Sequence, residues 1–319
     1  MSESKKPVPI VNAIALKNYL RQKGENHIKY NHFTTSKSLN SIIQTKTLRL
    51  TLGNSKMLND HHEFGAKGKK DVWDRTYIFC FSYNNNENMA LLGLYGLPSE
   101  ETVRFTLEKE SIKKIINKDK IKIYTDLNTQ QELDKNLIEE IFFADIFYVK
   151  DKYEKMPKHG DDELVFQNNN IYSVFSEPES TGIVKNDVWS QEKEVRLILK
   201  FSKKQEDEKG KIFEHIYLKF PEEILEEIQI TKGPNFKENY VNRQYYSDLI
   251  NQTKFDEEKN NKKLFENIDN INEKIKEKNE VNKKQKKTIN LIELKESIFK
   301  GKIHFKSDNF VQVKKEVNL

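Results

Sequence analysis

The stretch Trp189-Ser190-Gln191-Glu192-Lys193-Glu194-Val195-Arg196-Leu197-Ile198-Leu199 decides how the chain is read. Its right half alternates. As a strand it sends Val195, Leu197 and Leu199 one way and Glu192, Glu194 and Arg196 the other. Side chains two apart on one strand face lie close together, so two carboxylates and a guanidinium share a small patch. That patch is either a solvated face or the charged half of a site.

Composition bounds the choice. With 319 residues the chain has room for one large domain or two modest ones, and mass enough for a proper core. Hydrophobic residues make up 36% and charged residues 33%, so a globular part is diluted by a very polar one. The net charge of +5 comes from 55 basic and 50 acidic residues, a mixed field that permits a nucleic-acid partner without requiring one. Cys80 is the sole cysteine, which excludes an intrachain disulfide; set in an apolar run, it reads as a buried thiol rather than a nucleophile. The N-terminus has no long apolar core and no small-residue cleavage site, and no window approaches the roughly 18 apolar residues of a membrane helix. The expected location is the cytoplasm, with no membrane partner.

Working outward, the pattern predicts a polar leader and a helix over Val11–Lys23 ending at Gly24, then a strand over His27–Thr35 with His32 near its end. A helix follows from Ser36, with Ser or Thr available as cap and Leu39, Ile42 and Ile43 on one face, then a strand at Leu48–Leu52. Tyr77–Tyr83 is a near-continuous apolar run, hence a buried strand. Met89–Leu94 reads as a short helix ending at Tyr95, and Val103–Leu107 as a strand. Helical spacing marks part of Leu133–Val149 as a surface helix, with Ile146–Val149 open to a switch into strand, and residues 161–175 as another helix. A further helix is expected from Lys237 to Ile250.

After Thr253 the composition shifts. Residues 254–288 are almost all Lys, Glu, Asn, Asp and Gln around a thin stripe of Leu264, Phe265, Ile268, Ile271, Ile275 and Val281 at near-heptad spacing. This predicts a long amphipathic helix or helix pair, packed on the body or on a partner, with disorder as the other reading. Leu291–Phe299 adds a helical pattern, and a terminal hairpin is expected at Ile303–Phe305 and Phe310–Val313. The His61-His62 dyad with Asp60 and Glu63 raises a metal site, but adjacent histidines diverge in regular structure and the spacing that puts two ligands on one helix face is absent. No metal is expected.

Several motifs occur in an order that resembles an uncharacterised bacterial family. They are the His32-Phe33-Thr34 strand, Asn59-Asp60-His61-His62-Glu63, Phe81-Ser82, the helix ending at Tyr95, Trp189 through Arg196, and Gly233-Pro234. Some of its members resemble abortive-infection proteins of phage defence. The same layout resembles diverged ADP-ribosyltransferases over residues 27–250, leaving the Lys-rich tail outside. Two positions depart from that pattern: Leu92 stands where the family has tryptophan, and Ser82 is followed by Tyr83 rather than Thr-Ser.

The resemblance implies an α+β fold, an ADP-ribosyltransferase-like split and mostly antiparallel sheet with flanking helices and a helical C-terminal extension. It divides the chain into a leader and helix (1–26), the ADP-ribosyltransferase-like domain (27–250) and a Lys/Glu/Asn-rich extension (251–319). It implies NAD as substrate, and DNA, RNA or protein as acceptor, in a bacterial toxin or phage-defence effector. Glu194 then stabilises the oxocarbenium-like state and Glu192 orients or deprotonates the acceptor. His32, with Thr34, holds the adenosine ribose, and Ser82 with Tyr83 or Tyr95 holds the nicotinamide ring. Arg196 neutralises the carboxylates, and the 254–299 helix is the place for a regulatory partner. Two other classes stay open: a non-catalytic nucleotide sensor or protein-interaction module on the same fold, and an RNA phosphotransferase. The latter is disfavoured because no compact Arg/Lys set surrounds His32.

Overall fold

A computed structural model describes residues 6–53, 70–84, 88–95, 101–149, 157–166, 171–236, 260–282 and 294–295. In chain order the strands are β1 (Val8–Ile10), β2 (Lys29–Thr35), β3 (Thr47–Leu52), β4 (Thr76–Ser82), β5 (Thr102–Glu108), β6 (Lys122–Tyr124), β7 (Ile138–Asp145) and β8 (Phe147–Val149). They continue as β9 (Lys158–His159), β10 (Asp162–Phe166), β11 (Val184–Asn186), β12 (Glu194–Phe201), β13 (His215–Lys219), β14 (Gln229–Lys232) and β15 (Leu294–Lys295). The helices are α1 (Ala13–Gly24), α2 (Ser36–Thr45), α3 (Lys70–Trp73), α4 (Met89–Tyr95), α5 (Lys109–Ile115), α6 (Ile171–Ser176) and α7 (Asn260–Asn282). The fold is α+β, with a mostly antiparallel sheet.

The chain forms two units that interleave in sequence. The first takes Met1–Tyr30, Leu48–Tyr83 and Ile112–Phe220; the second takes Asn31–Thr47, Asn84–Ser111 and Pro221–Leu319.

In the first unit the strands run in the order β6-β13-β3-β4-β12-β7. β12 lies antiparallel between β4 and β7, from Glu194 opposite Ser82 to Lys200 opposite Thr76, and from Val195 opposite Asp145. Both faces of this centre are covered. On one, Ile78, Phe142, Ala144 and Ile198 pack with Ala13, Leu16 and Leu20 of α1. On the other, Tyr30 meets Phe81 and Phe143 edge-on, and those two rings lie tilted to each other. Asn12 caps α1 by accepting from the Ala15 N–H at 2.8 Å, and Gly24 ends the helix against the backbone of Ala144.

Two-sided burial explains one correction. Ile138–Asp145 is strand β7, not a surface helix, while Phe147–Val149 is strand β8, where the sequence leaves a switch to strand open. Ile138, Ile141, Phe142 and Phe143 are all buried, and an apolar run covered on both faces loses the alternation that marks a strand. The expected helix over 161–175 is likewise shorter: β10 takes Asp162–Phe166 and pairs with β1 and β9, leaving α6 for Ile171–Ser176.

In the second unit the order is β15-β14-β5-β2. Thr35 caps α2, accepting from the Ser38 N–H, and Lys46 closes the helix in the left-handed region at φ 57°. The face of α2 with Leu39, Ile42 and Ile43 is buried, as the spacing predicts. The tail helix exists as α7, packs on α2 and buries Leu264, Ile268 and Ile275; Asn267 donates to Asn40 at 3.0 Å. Leu294–Lys295 is a short strand parallel to β14, where a helix was expected. The expected helix at 237–250, the hairpin at 303–313 and the His61-His62 segment lie outside the described residues.

Candidate functional site

β12 begins at Glu194, not at Glu192. The residues before it, Asp187–Glu192, form a 3-10 turn capped by the Asn186 side chain and ended by Lys193 in the left-handed region at φ 43°. That kink throws Lys193 outward and turns Glu192 back inward. Glu192 and Glu194 therefore converge, but as buried groups at 3% and 4% exposure. The solvated-face reading is overturned.

Their partners explain how the burial is sustained, since a buried charge needs a counter-charge and hydrogen bonds. Arg196, two residues along the strand, forks onto Glu194, with Nε to Oε1 at 2.6 Å and Nη2 to Oε2 at 3.1 Å. Its Nη1 donates to the Gly182 carbonyl at 3.1 Å. Lys185 donates from Nζ to Glu192 Oε2 at 2.7 Å and Glu194 Oε2 at 3.1 Å. Two cations meet two anions. The parallel β8–β11 pair sets Lys185 beside Tyr148, whose hydroxyl accepts from the Glu194 N–H at 2.8 Å. Trp189 lies with its ring centroid 5.0 Å from the Lys185 ammonium.

The electrostatics follow. Burial alone would push the Glu194 carboxyl up, but Arg196 and then Lys185 outweigh it and hold it well below the usual carboxylate range. Burial, then the Glu194 charge, push the Cys80 thiol and the Tyr148 phenol up, so both stay protonated near neutral pH. Cys80 is thus a hydrogen-bonding thiol beside Glu194 rather than a thiolate nucleophile.

Ser82 stands opposite Glu194 in register, and its Oγ donates to the Glu192 carbonyl at 2.7 Å. Next to it, Tyr83 stacks on His27 with ring centroids 4.2 Å apart and planes 2° from parallel. His27 Nε2 lies 2.6 Å from Asp145 Oδ1, and His159 Nε2 lies 2.9 Å from Asp145 Oδ2. The two imidazoles hold opposite oxygens of one carboxylate. Burial, then the Asp145 charge, push the Tyr83 phenol up to about 12. Among the described residues no group of three or more His, Cys, Asp or Glu is placed to hold a metal ion.

His32, Thr34 and Tyr95 belong to the second unit. There the His32 ring lies 5.1 Å from Phe105, Thr34 is buried, and Tyr95 is 38% exposed at the end of α4. Beside His32, Asn31 donates to the Asn84 carbonyl and accepts from Thr106, both at 2.7 Å. Leu92 packs with Phe33 and Leu91 in a small apolar cluster.

Sequence reasoning missed Lys185, Tyr148 and the His27–Asp145–His159 group. For Lys185 the only available signal is a lone cation after Ile183-Val184 in a short apolar segment. For Asp145 it is an acid directly following Ile141-Phe142-Phe143-Ala144. No helix among the described residues is long and apolar enough to cross a membrane. No protein-family model, curated protein or solved structure matches the chain.

Proposed function

We propose that the chain is an NAD-dependent, ADP-ribosyltransferase-like enzyme that modifies a nucleic acid or protein in the cytoplasm, as a bacterial toxin or phage-defence effector. The supporting observation is the placement of Glu194: an ionised carboxylate at the head of the central strand, opposite Ser82 on the adjacent antiparallel strand. These are two of the strands whose motifs carry the resemblance.

In such a transfer the bond from nicotinamide nitrogen to ribose C1 breaks, and the bonding pair leaves with nicotinamide. Positive charge develops on the ribose, and a fixed carboxylate in a dry setting stabilises it. An acceptor nitrogen or oxygen then bonds to C1, and its proton passes to water. Glu194 is the charge-stabilising group in this reading. Glu192, the assigned acceptor base, is held by Lys185 at 2.7 Å, so it orients more readily than it deprotonates. The NAD-holding roles of His32, Thr34, Ser82, Tyr83 and Tyr95 rest on the resemblance. A regulatory partner of the 254–299 segment would meet the polar face of α7, because its apolar stripe is used on α2.

One observation favours a second reading, a non-catalytic nucleotide sensor: both carboxylate oxygens of Glu194 and one of Glu192 already carry cationic donors. Incubation with labelled NAD plus DNA, RNA or lysate separates the two. Nicotinamide release and labelled acceptor from wild type, lost in a folded Glu194→Gln, supports the enzyme. NAD bound but intact supports the sensor, and NAD neither bound nor consumed ends both.

A further inference from the structure

Four side chains face the Glu194 carboxylate or its backbone, and each comes from a different place in the chain. Cys80 arrives from β4, Tyr148 from β8, Lys185 from β11 and Arg196 from β12 itself, while Glu192, from the 3-10 turn, shares the Lys185 ammonium. Cys80 and Tyr148 carry no charge near neutral pH, because burial and the neighbouring carboxylate keep them protonated. Arg196 is always protonated. Arg196 is the larger counter-charge at Glu194 and Lys185 the second, and Lys185 also reaches Glu192.

Their geometry is one of bridging. A single ammonium, 4% exposed, reaches both carboxylates, at 2.7 and 3.1 Å. Without it, two buried carboxylates would share one guanidinium, and like charges in a dry place cannot both stay ionised. The turn that carries Glu192 also carries Trp189, whose ring lies 5.0 Å from the same ammonium. Turn, ring and carboxylate thus enclose Lys185, and the left-handed Lys193 returns the chain to β12 directly behind it.

We propose that Lys185 is a positioning residue for ADP-ribosyl transfer: bridging Glu192 and Glu194, it keeps Glu194 ionised and fixed in the orientation that meets the developing ribose cation. The inference rests on the transfer reading of Glu194 given above. It deepens that reading by assigning the pH range of the site to a residue outside every motif.

The test compares full-length E192Q with full-length K185M/E192Q. Both lack the Glu192 charge, so neither buries an excess carboxylate; E192Q keeps one buried cation in excess and K185M/E192Q none, and the two differ only in the Lys185 cation. Two readouts are taken: nicotinamide release from NAD across pH, and the titration of the Glu194 carboxyl by carbon NMR, assigned with E194Q. Expected in K185M/E192Q is a Glu194 titration and an acidic activity limb about one pH unit or more above those of E192Q, with kcat reduced more than KM. K185R/E192Q, which restores a cation, should return the limb toward that of E192Q. Thermal unfolding checks that each variant folds; where K185M does not, K185Q/E192Q replaces it as the uncharged variant. Coincident titrations in an active chain overturn the inference alone. A wild type that releases no nicotinamide overturns the transfer reading, and the inference with it.

Discussion

At the scale of the residue, a buried charge is decided by its partners. Glu192, Glu194, Lys185 and Arg196 are each at most 4% exposed, and together they are neutral. Removing one member leaves an uncompensated buried charge, which costs about 3–5 kcal/mol. Arg196→Met is therefore expected to lower the free energy of unfolding by that order, measured by urea denaturation. K185M/E192Q, which removes one charge of each sign, should lose clearly less than K185M alone. Equal losses would mean that the ion pair is not the interaction that holds Lys185. The sequence showed the two glutamates and the arginine of this group, because alternation is a local property. It did not show Lys185, because nothing local in Ile183-Val184-Lys185 tells a buried lysine from an exposed one.

At the scale of the element, close approach sets the terms. A Cβ on Gly24 would sit 2.6 Å from the Cα of Ala144, a backbone atom that cannot swing aside. Gly24→Ala gains about 1 kcal/mol of helix propensity but meets an overpacking cost of about 1–3 kcal/mol, so the net change is expected to destabilise. A higher melting temperature in G24A would contradict the α1–β7 packing. For α7 the expectation is larger. Leu264 is fully buried on the α2 side of the helix, and Leu264→Ala should cost about 2–5 kcal/mol, read from denaturant unfolding. The α7 stripe was legible because apolar residues recur at near-heptad spacing through a polar tract, and of them Leu264, Ile268 and Ile275 are buried. β7 was not, because a strand buried on both faces loses its period.

At the scale of the whole molecule, depressed carboxyls set the acid limit. Glu194 is held low by Arg196 and Lys185 against its burial, and Asp145 by hydrogen bonds from His159 and His27 against its burial. Glu139 and Glu222 are also lowered, but their side chains are 40% and 49% exposed, so solvent screens their contribution. A carboxyl depressed on folding contributes stability that is fully present above its unfolded value. That contribution is lost as pH falls through the folded value. Urea midpoints should therefore be flat from neutral pH down to about pH 5, then fall progressively below about pH 4. In E194Q that acid loss should be smaller; an unchanged acid limb would show that Glu194 is not a main contributor.

What the sequence by itself determined is the set of pieces with a local period or a local cap. These are the apolar run of β4, the alternating half of β12, α2 with Thr35 before it, and the stripe of α7. Only the tertiary structure decided that the charged side of Trp189–Leu199 is dry. Whether such a face meets water depends on what covers it. Here the cover comes from Tyr148, 46 residues earlier, from Lys185 on β11, and from a turn whose left-handed Lys193 folds Glu192 inward. No periodicity in a single strand encodes partners brought from that far along the chain.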